Sequence, residues 1–256
     1  MVIVVAAAAA LLLGGNSGEK ATAESVSGSA PAAERRAPTT LETTEAARGA
    51  ERKLVLPDHH HAVIWVRKGH EVELHAAPGG PAVATVGDET EFGSPTVFSV
   101  METDGEWAGV PNSHTGNGAL GWVRLDARDL NAGYTKQEIV VDLSDHTAQL
   151  LRAGEPVRSF LVTIGAPETA TPTGSFAVTD TFRGELNEAY GCCAVAITAV
   201  QTNFDSGWLG GNRIAIHGTT GPLGVDASHG CVRAADRDVN ALVNNVPPGA
   251  PVTIRQ

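Results

Sequence analysis

Short apolar runs separated by turn residues fill the middle of the chain. Between Val63 and Leu125 they are Val63-Ile64-Trp65-Val66, Val72-Glu73-Leu74, Val83-Ala84-Thr85-Val86, Val97-Phe98-Ser99-Val100, Trp107-Ala108-Gly109-Val110 and Gly121-Trp122-Val123-Arg124-Leu125, with Pro78-Gly79-Gly80-Pro81 as the clearest turn. Runs spaced by about ten residues predict a small all-β module over residues 55–130. A second block covers residues 134–256. There Ile139, Val141 and Leu143 alternate with Val140 and Asp142, and after Ser144-Asp145 the chain returns from His146 to Leu151, so a hairpin is expected. Further strands are expected from Val157 to Ile164, Ser175 to Asp180, Ala194 to Val200, Arg213 to His217 and Val252 to Ile254. Only one helix is convincing: Val239, Leu242, Val243 and Val246 fall at i, i+3, i+4 and i+7, with Asp236 placed to cap the start and Pro247-Pro248-Gly249 to stop it. The pattern is mainly β with one late helix.

The ends of this pattern differ in kind. Val2 to Leu13 is an uncharged apolar run, about 18 Å long as a helix against about 30 Å of bilayer hydrocarbon. Residues 1–18 therefore read as a signal peptide or short anchor, with Gly14, Gly15, Ser17 and Gly18 around a cleavage point, although no Lys or Arg precedes the run. Residues 19–54, rich in Ala, Ser, Thr, Glu and Arg and free of aromatics, read as a disordered tether. An exported domain held off a membrane or wall needs such a spacer.

Charge then narrows the partners. The 256 residues carry 18 Lys plus Arg against 29 Asp plus Glu, a net charge of −11, so no broad basic surface is available for a nucleic-acid backbone or an anionic membrane. Three cysteines are too few for a disulfide scaffold, and their odd number leaves an exported chain with one thiol to explain.

That thiol stands in the most informative stretch, Ile214-Ala215-Ile216-His217-Gly218-Thr219 followed by Ala227-Ser228-His229-Gly230-Cys231-Val232-Arg233. In a strand Ile214 and Ile216 share one face, so His217 lies on the other with Arg213 and Ala215. Cys231 follows a glycine that permits a sharp turn and leaves backbone N–H groups unobstructed. A thiol near pKa 8.5 needs a base to take its proton, and thiol, imidazole and glycine turn together point to acyl transfer. His229 is a rival base, but two residues before the nucleophile in a tight turn it is poorly placed to meet the sulfur. Cys192 and Cys193 on a strand would face opposite sides and read as small residues beside the core, with a zinc or redox site from Cys192, Cys193, Cys231 and His217 as the competing class. His59-His60-His61 lacks spaced partners and reads as a solvated run rather than a metal site.

The strings Ile216-His217-Gly218-Thr219 and Ser228-His229-Gly230-Cys231-Val232-Arg233 closely resemble the catalytic signature of the L,D-transpeptidases of the bacterial cell wall, the YkuD-like family. Thr171-Pro172-Thr173-Gly174-Ser175-Phe176 is similar to that family's Thr-Pro-x-Gly stretch, and the start at Ile139 and the end at Ile254 match its edges. The resemblance covers about half the chain. Arg233 stands where the family often has Asn. The resemblance implies a β-sandwich or barrel catalytic domain with one late helix, in which Cys231 is the nucleophile, His217 the general base, and the Gly218 carbonyl orients the imidazole. Ser228, His229 and Gly230 would shape the turn, with the N–H groups of Gly230 and Cys231 as oxyanion donors. Tyr190 would line the acyl-donor site, and Arg233 would pair with a substrate carboxylate or with a structural Asp such as Asp236. The implied partners are peptidoglycan stem peptides, the implied reaction a 3–3 crosslink through a thioester, or trimming by an L,D-carboxypeptidase, and no metal or other cofactor is required. Trp107-Ala108-Gly109-Val110 and Gly121-Trp122-Val123 resemble the closing strands of a small SH3-like β-barrel, which on its own would make the chain a wall-binding protein. A monomer is expected.

Overall fold

The computed structural model describes residues 56–126, 128–184, 186–204 and 211–256. The apolar run from Val2 and the tether up to residue 54 lie outside the described residues. Among those described, no helix is long and apolar enough to cross a membrane.

The first block has eight strands: β1 (His61–Val66), β2 (Glu71–His75), β3 (Ala82–Gly87), β4 (Val97–Ser99), β5 (Glu102–Asp104), β6 (Trp107–Pro111), β7 (Leu120–Arg124) and β8 (Leu130–Thr135). They form a five-stranded sheet, β3-β2-β7-β6-β5, and a three-stranded sheet, β4-β1-β8. Alternate residues point inward, so Ile64, Val66, Leu74, Phe98, Ala108, Val110, Val123 and Leu130 make one core. Gly121 has no room for a side chain, because a Cβ there would lie 2.6 Å from Leu74 Cδ1. Two strands are invisible in the hydrophobic pattern. Glu102-Thr103-Asp104 is wholly exposed, and β8 forms by pairing along the full length of β1 rather than by its own alternation.

The second block continues with β9 (Gln137–Asp142), β10 (Thr147–Arg152), β11 (Glu155–Gly165), β12 (Gly174–Arg183), β13 (Cys193–Val200), β14 (Arg213–Thr219), β15 (Asp226–Ser228), β16 (Val232–Ala235), α1 (Asp236–Asn245) and β17 (Pro251–Arg255). Neighbours run β10-β9-β17-β12-β13-β14-β16-β11, and β10 pairs with β11, which closes the sheet into a barrel-like ring with β15 added at β11. The expected hairpin is β9 and β10. One antiparallel-looking stretch is not antiparallel. β14 and β16 are parallel neighbours, so the chain must cross over between them, and that crossover carries β15 and Cys231.

Helix α1 buries Val239, Leu242 and Val243 in the larger core, each burial contributing about 1.5–3 kcal/mol before entropy. Asp236 does not cap it. The N-cap position falls on Ala235, which offers no side-chain acceptor, and the carboxylate of Asp236 instead accepts the Cys192 N–H at 3.2 Å. Negative charge in the first turn, from Asp236 and Asp238, still suits the helix dipole.

The two blocks touch through polar and aromatic contacts. Thr90 donates to the fully buried Asp180 at 2.5 Å, Glu91 pairs with Arg213, and Phe92 meets Phe182 edge-on at 5.3 Å. Asn117, at the tip of the β6–β7 loop between Gly116 (φ 87°) and Gly118 (φ 79°), donates to Val200 O at 2.6 Å and accepts from Val200 N at 2.9 Å.

Candidate active site

Strand alternation builds the site. Val195, Ile216, Val232, Ala234 and Val162 belong to the larger core, and their register partners and neighbours Ala194, His217, Arg233 and Thr163 therefore point to the opposite face. His217 stands beside Arg233 across the parallel pair, and Cys231 precedes the same strand by one residue. The small residues Ala194, Ala196 and Ala215 share this face and are buried.

His217 is 4% exposed, and its Nδ1 lies 2.9 Å from the carbonyl of Gly218. A carbonyl only accepts, so Nδ1 carries the proton and Nε2 offers the lone pair. Burial holds the imidazole pKa below 6.5, opposed by the Gly218 hydrogen bond and assisted by the nearby Arg233 cation. A Cβ on Gly218 would lie 2.1 Å from Asp236 Oδ1 and 3.0 Å from the Cys192 nitrogen, so the Asp236 carboxylate would have to shift. Tyr190 ends the short turn Glu188–Tyr190 and lays its ring 4.8 Å from that of His217, edge to face.

Cys231 is the free cysteine among those described. Burial pushes its thiol pKa above 9.0, against the opposing effects of the Ala215 N–H, which donates to Sγ at 3.5 Å, and of Arg233. Among the described residues no hydrogen bond joins the thiol to the imidazole; burial favours the neutral form of each, and the two share a face.

The turn before the sulfur is held at every carbonyl. Ser228 O accepts from Thr169 Oγ1 at 2.9 Å and from Ala166 N at 2.8 Å. His229 O accepts from Gln201 Nε2 at 3.1 Å, Gly230 O from Thr171 Oγ1 at 2.9 Å, and Cys231 O from Ser228 Oγ at 2.6 Å. Gly230 has φ 107°, a region that glycine enters without strain. Its N–H donates to Ser228 Oγ at 3.1 Å, so of the two expected oxyanion donors one already has an acceptor. A peptide is planar and trans, so fixing Gly230 C=O on Thr171 also fixes the direction of the Cys231 N–H. Gln201 and Thr169, which hold the turn, stand in no catalytic pattern in the sequence; Thr171 opens the Thr-Pro-x-Gly stretch, whose physical use is now visible.

The remaining expected residues fall as follows. His229 has an exposed side chain, with its backbone in the turn. Arg233 does not pair with Asp236, whose carboxylate faces the Cys192 amide; its Nε is buried without a hydrogen-bond partner, on the same face as Cys231 and His217. Cys192 and Cys193 are joined to each other by a disulfide, contrary to the expectation of two separate small residues; only Cys193 lies within β13, so strand alternation does not part them. Of the three adjacent histidines, His60 packs edge-on against Tyr134 and His61 approaches Glu138 at 3.5 Å. Among the described residues no three His, Cys, Asp or Glu side chains cluster as a metal site.

A closed β-barrel with a thiol, a carbonyl-tethered imidazole and a cation on one face of two parallel strands defines a cysteine-centred site of the kind the sequence resembles. Residues 136–254 match the family model of YkuD, the L,D-transpeptidase catalytic domain. A Bacillus licheniformis protein named as an L,D-transpeptidase of the YkuD kind is 29% identical over 124 residues, 45% of this chain; the match spans 64% of that relative. Among solved structures, an L,D-transpeptidase from Mycobacterium tuberculosis H37Rv is similar with a TM-score of 0.40 and 21% identity, over 54% of this chain and 72% of that one. L,D-transpeptidase 3 from Mycobacterium tuberculosis, in complex with a faropenem-derived adduct, gives 0.40 and 19% over 54% and 73%.

Proposed function

We propose that the chain is an exported peptidoglycan L,D-transpeptidase that forms 3–3 crosslinks through a thioester on Cys231. The observation that carries this reading is the shared face of His217 and Cys231 on neighbouring parallel segments, with Nδ1 of the imidazole tied to Gly218 O and Nε2 left as the base.

Nε2 of His217 takes the thiol proton as Sγ adds to the carbonyl carbon of the L,D peptide bond in a tetrapeptide stem. The negative oxygen of the tetrahedral species is met by the Cys231 N–H, held in direction by Thr171. The C–N bond then breaks, and His217 returns the proton to the departing D-alanine amine. The side-chain amine of a diamino acid on a second stem attacks the thioester, His217 takes its surplus proton, and the C–S bond breaks with that proton returning to sulfur. Arg233, whose buried Nε has no hydrogen-bond partner among the described residues, meets a carboxylate of the donor stem. Tyr190 bounds the donor site beside the imidazole. The first block, which resembles an SH3-like barrel, is the module that accompanies the catalytic domain.

The test is intact-mass measurement after incubation with a carbapenem, together with mass spectrometry of muropeptide products. One adduct on the wild type, none on Cys231→Ala, and crosslinked dimers from tetrapeptide stems are expected. A wild type that stays unmodified, or a Cys231→Ala variant that is modified equally, sinks the assignment; trimmed tripeptides without dimers would replace transpeptidation by carboxypeptidation.

A further inference from the structure

The nucleophile turn is held by a side chain that no catalytic pattern singles out, and that side chain sits next to a residue gripped by the first block. Gln201 is buried, and its Nε2 faces three backbone carbonyls: Thr169 O at 3.0 Å, Ala170 O at 3.3 Å and His229 O at 3.1 Å. Its Oε1 accepts the N–H groups of Thr202 and Asn203 at 2.9 and 3.1 Å, so the amide can be oriented only one way. Two hydrogens thus serve three carbonyls. Those carbonyls belong to two segments: 169–171, in which Thr169 and Thr171 hold Ser228 O and Gly230 O, and the turn itself. Gly230 is pressed against the same amide, since a Cβ there would lie 2.3 Å from Gln201 Nε2.

The preceding residue, Val200, is fixed from the other block. The ladder between β12 and β13 ends at Val178 and Ile197, so it does not reach Val200. Asn117 supplies both hydrogen bonds that a neighbouring strand would make, one to the N–H and one to the C=O of Val200. The connection runs Asn117, Val200, Gln201, His229 O, Gly230, Cys231, each link a covalent bond or a hydrogen bond.

We propose that Gln201 is a positioning residue for the acyl-transfer turn, and that the first block braces it there through Asn117. The proposal rests on the reading of Cys231 as the acylated nucleophile. Gln201 acts on the direction of backbone groups around the sulfur and not on the sulfur itself, so the two kinds of cysteine chemistry separate. Acylation develops an oxyanion that needs the turn's N–H donor in place, whereas alkylation by iodoacetamide is a displacement at saturated carbon that needs none.

The experiment measures both reactions on the full chain with Cys192 and Cys193 left as the disulfide, so that Cys231 is the reporting thiol. Wild type, Gln201→Ala, the better-filling Gln201→Met and Asn117→Ala are compared for carbapenem acylation and for carbamidomethylation, each followed by intact mass. Acylation by the Gln201 variants is expected to fall roughly 10- to 100-fold, in the maximal rate rather than in the half-saturating carbapenem concentration, with alkylation within about twofold of wild type. Asn117→Ala is expected to lose roughly 2- to 30-fold in the same parameter. If Gln201→Ala does not fold, Gln201→Met carries the comparison. A wild type that alkylates but takes up no carbapenem overturns the acyl-transfer reading beneath the proposal. A wild type that acylates, with the variants within twofold of it or with acylation and alkylation falling in parallel, overturns the positioning role alone.

Discussion

The protonation state of the resting pair is the sharpest quantity to test. Burial moves the two groups in opposite directions, the Cys231 thiol above 9.0 and the His217 imidazole below 6.5, and no hydrogen bond links them. Burial therefore favours the neutral form of both near pH 7. A thiol whose pKa is raised by burial is almost wholly protonated at pH 7, and each unit of pH raises the thiolate fraction about tenfold until the pKa is passed. The perturbation is therefore pH itself, from 5.5 to 9.5, on the oxidised protein, with the rate of carbamidomethylation of Cys231 as the assay. A log-linear rise with slope near one up to about pH 9 is expected, with no shoulder near pH 6. A plateau below pH 7 would show a preformed thiolate–imidazolium pair and refute the argument that burial dominates. Acylation should behave differently, because it requires only unprotonated His217 and takes the thiol proton during attack; the lowered imidazole pKa keeps it active below pH 6.5. The stability signs follow. The unfolded chain binds a proton at His217 below pH 6.5 that the folded state resists, so this group removes stability as pH falls through that range, while the raised thiol removes stability as pH rises past 9.

Two further outcomes follow from the site's packing. Gly218→Ala places a Cβ against the Asp236 carboxylate and the Cys192 amide, and should cost about 1–3 kcal/mol in urea denaturation while also turning the carbonyl that fixes His217, so that acylation falls further than stability alone accounts for; an unchanged midpoint would refute the contact. Arg233→Met removes a buried Nε that has no partner, so the folded state should be unchanged or slightly more stable. The same variant should raise KM for a tetrapeptide stem with a free terminal carboxylate, with little effect when that carboxylate is amidated; equal effects on both substrates would remove Arg233 from carboxylate recognition.

Much of the second block was legible where its strands alternate, as at Ile139 and Val141 in β9. Ile214 and Ile216 facing the core are enough to send His217 the other way, and the Ile214–Arg233 stretch contains both the thiol and the imidazole. What a local pattern cannot carry is pairing between distant segments. That β14 and β16 are parallel, that β8 exists, and that Asp236 faces an amide rather than its own helix all depend on contacts across many residues. Gln201 is the extreme case. A single amide at the end of a strand has no periodicity, and its use appears only when residues 169, 170 and 229 arrive around it.

Asp180 gives the junction between the blocks a meaning for recombination. Its carboxylate is fully buried, and a hydroxyl that takes it as acceptor comes from Thr90, on the far side of the sequence boundary at Lys136. A catalytic segment grafted onto a different leader would bring this charge with it and leave the hydroxyl behind. Any replacement module would have to supply a donor at that point and an amide at the place of Asn117. The family segment is therefore portable as a sequence but not as a surface, and swaps that respect the boundary while ignoring those two side chains should yield chains that express and fold poorly.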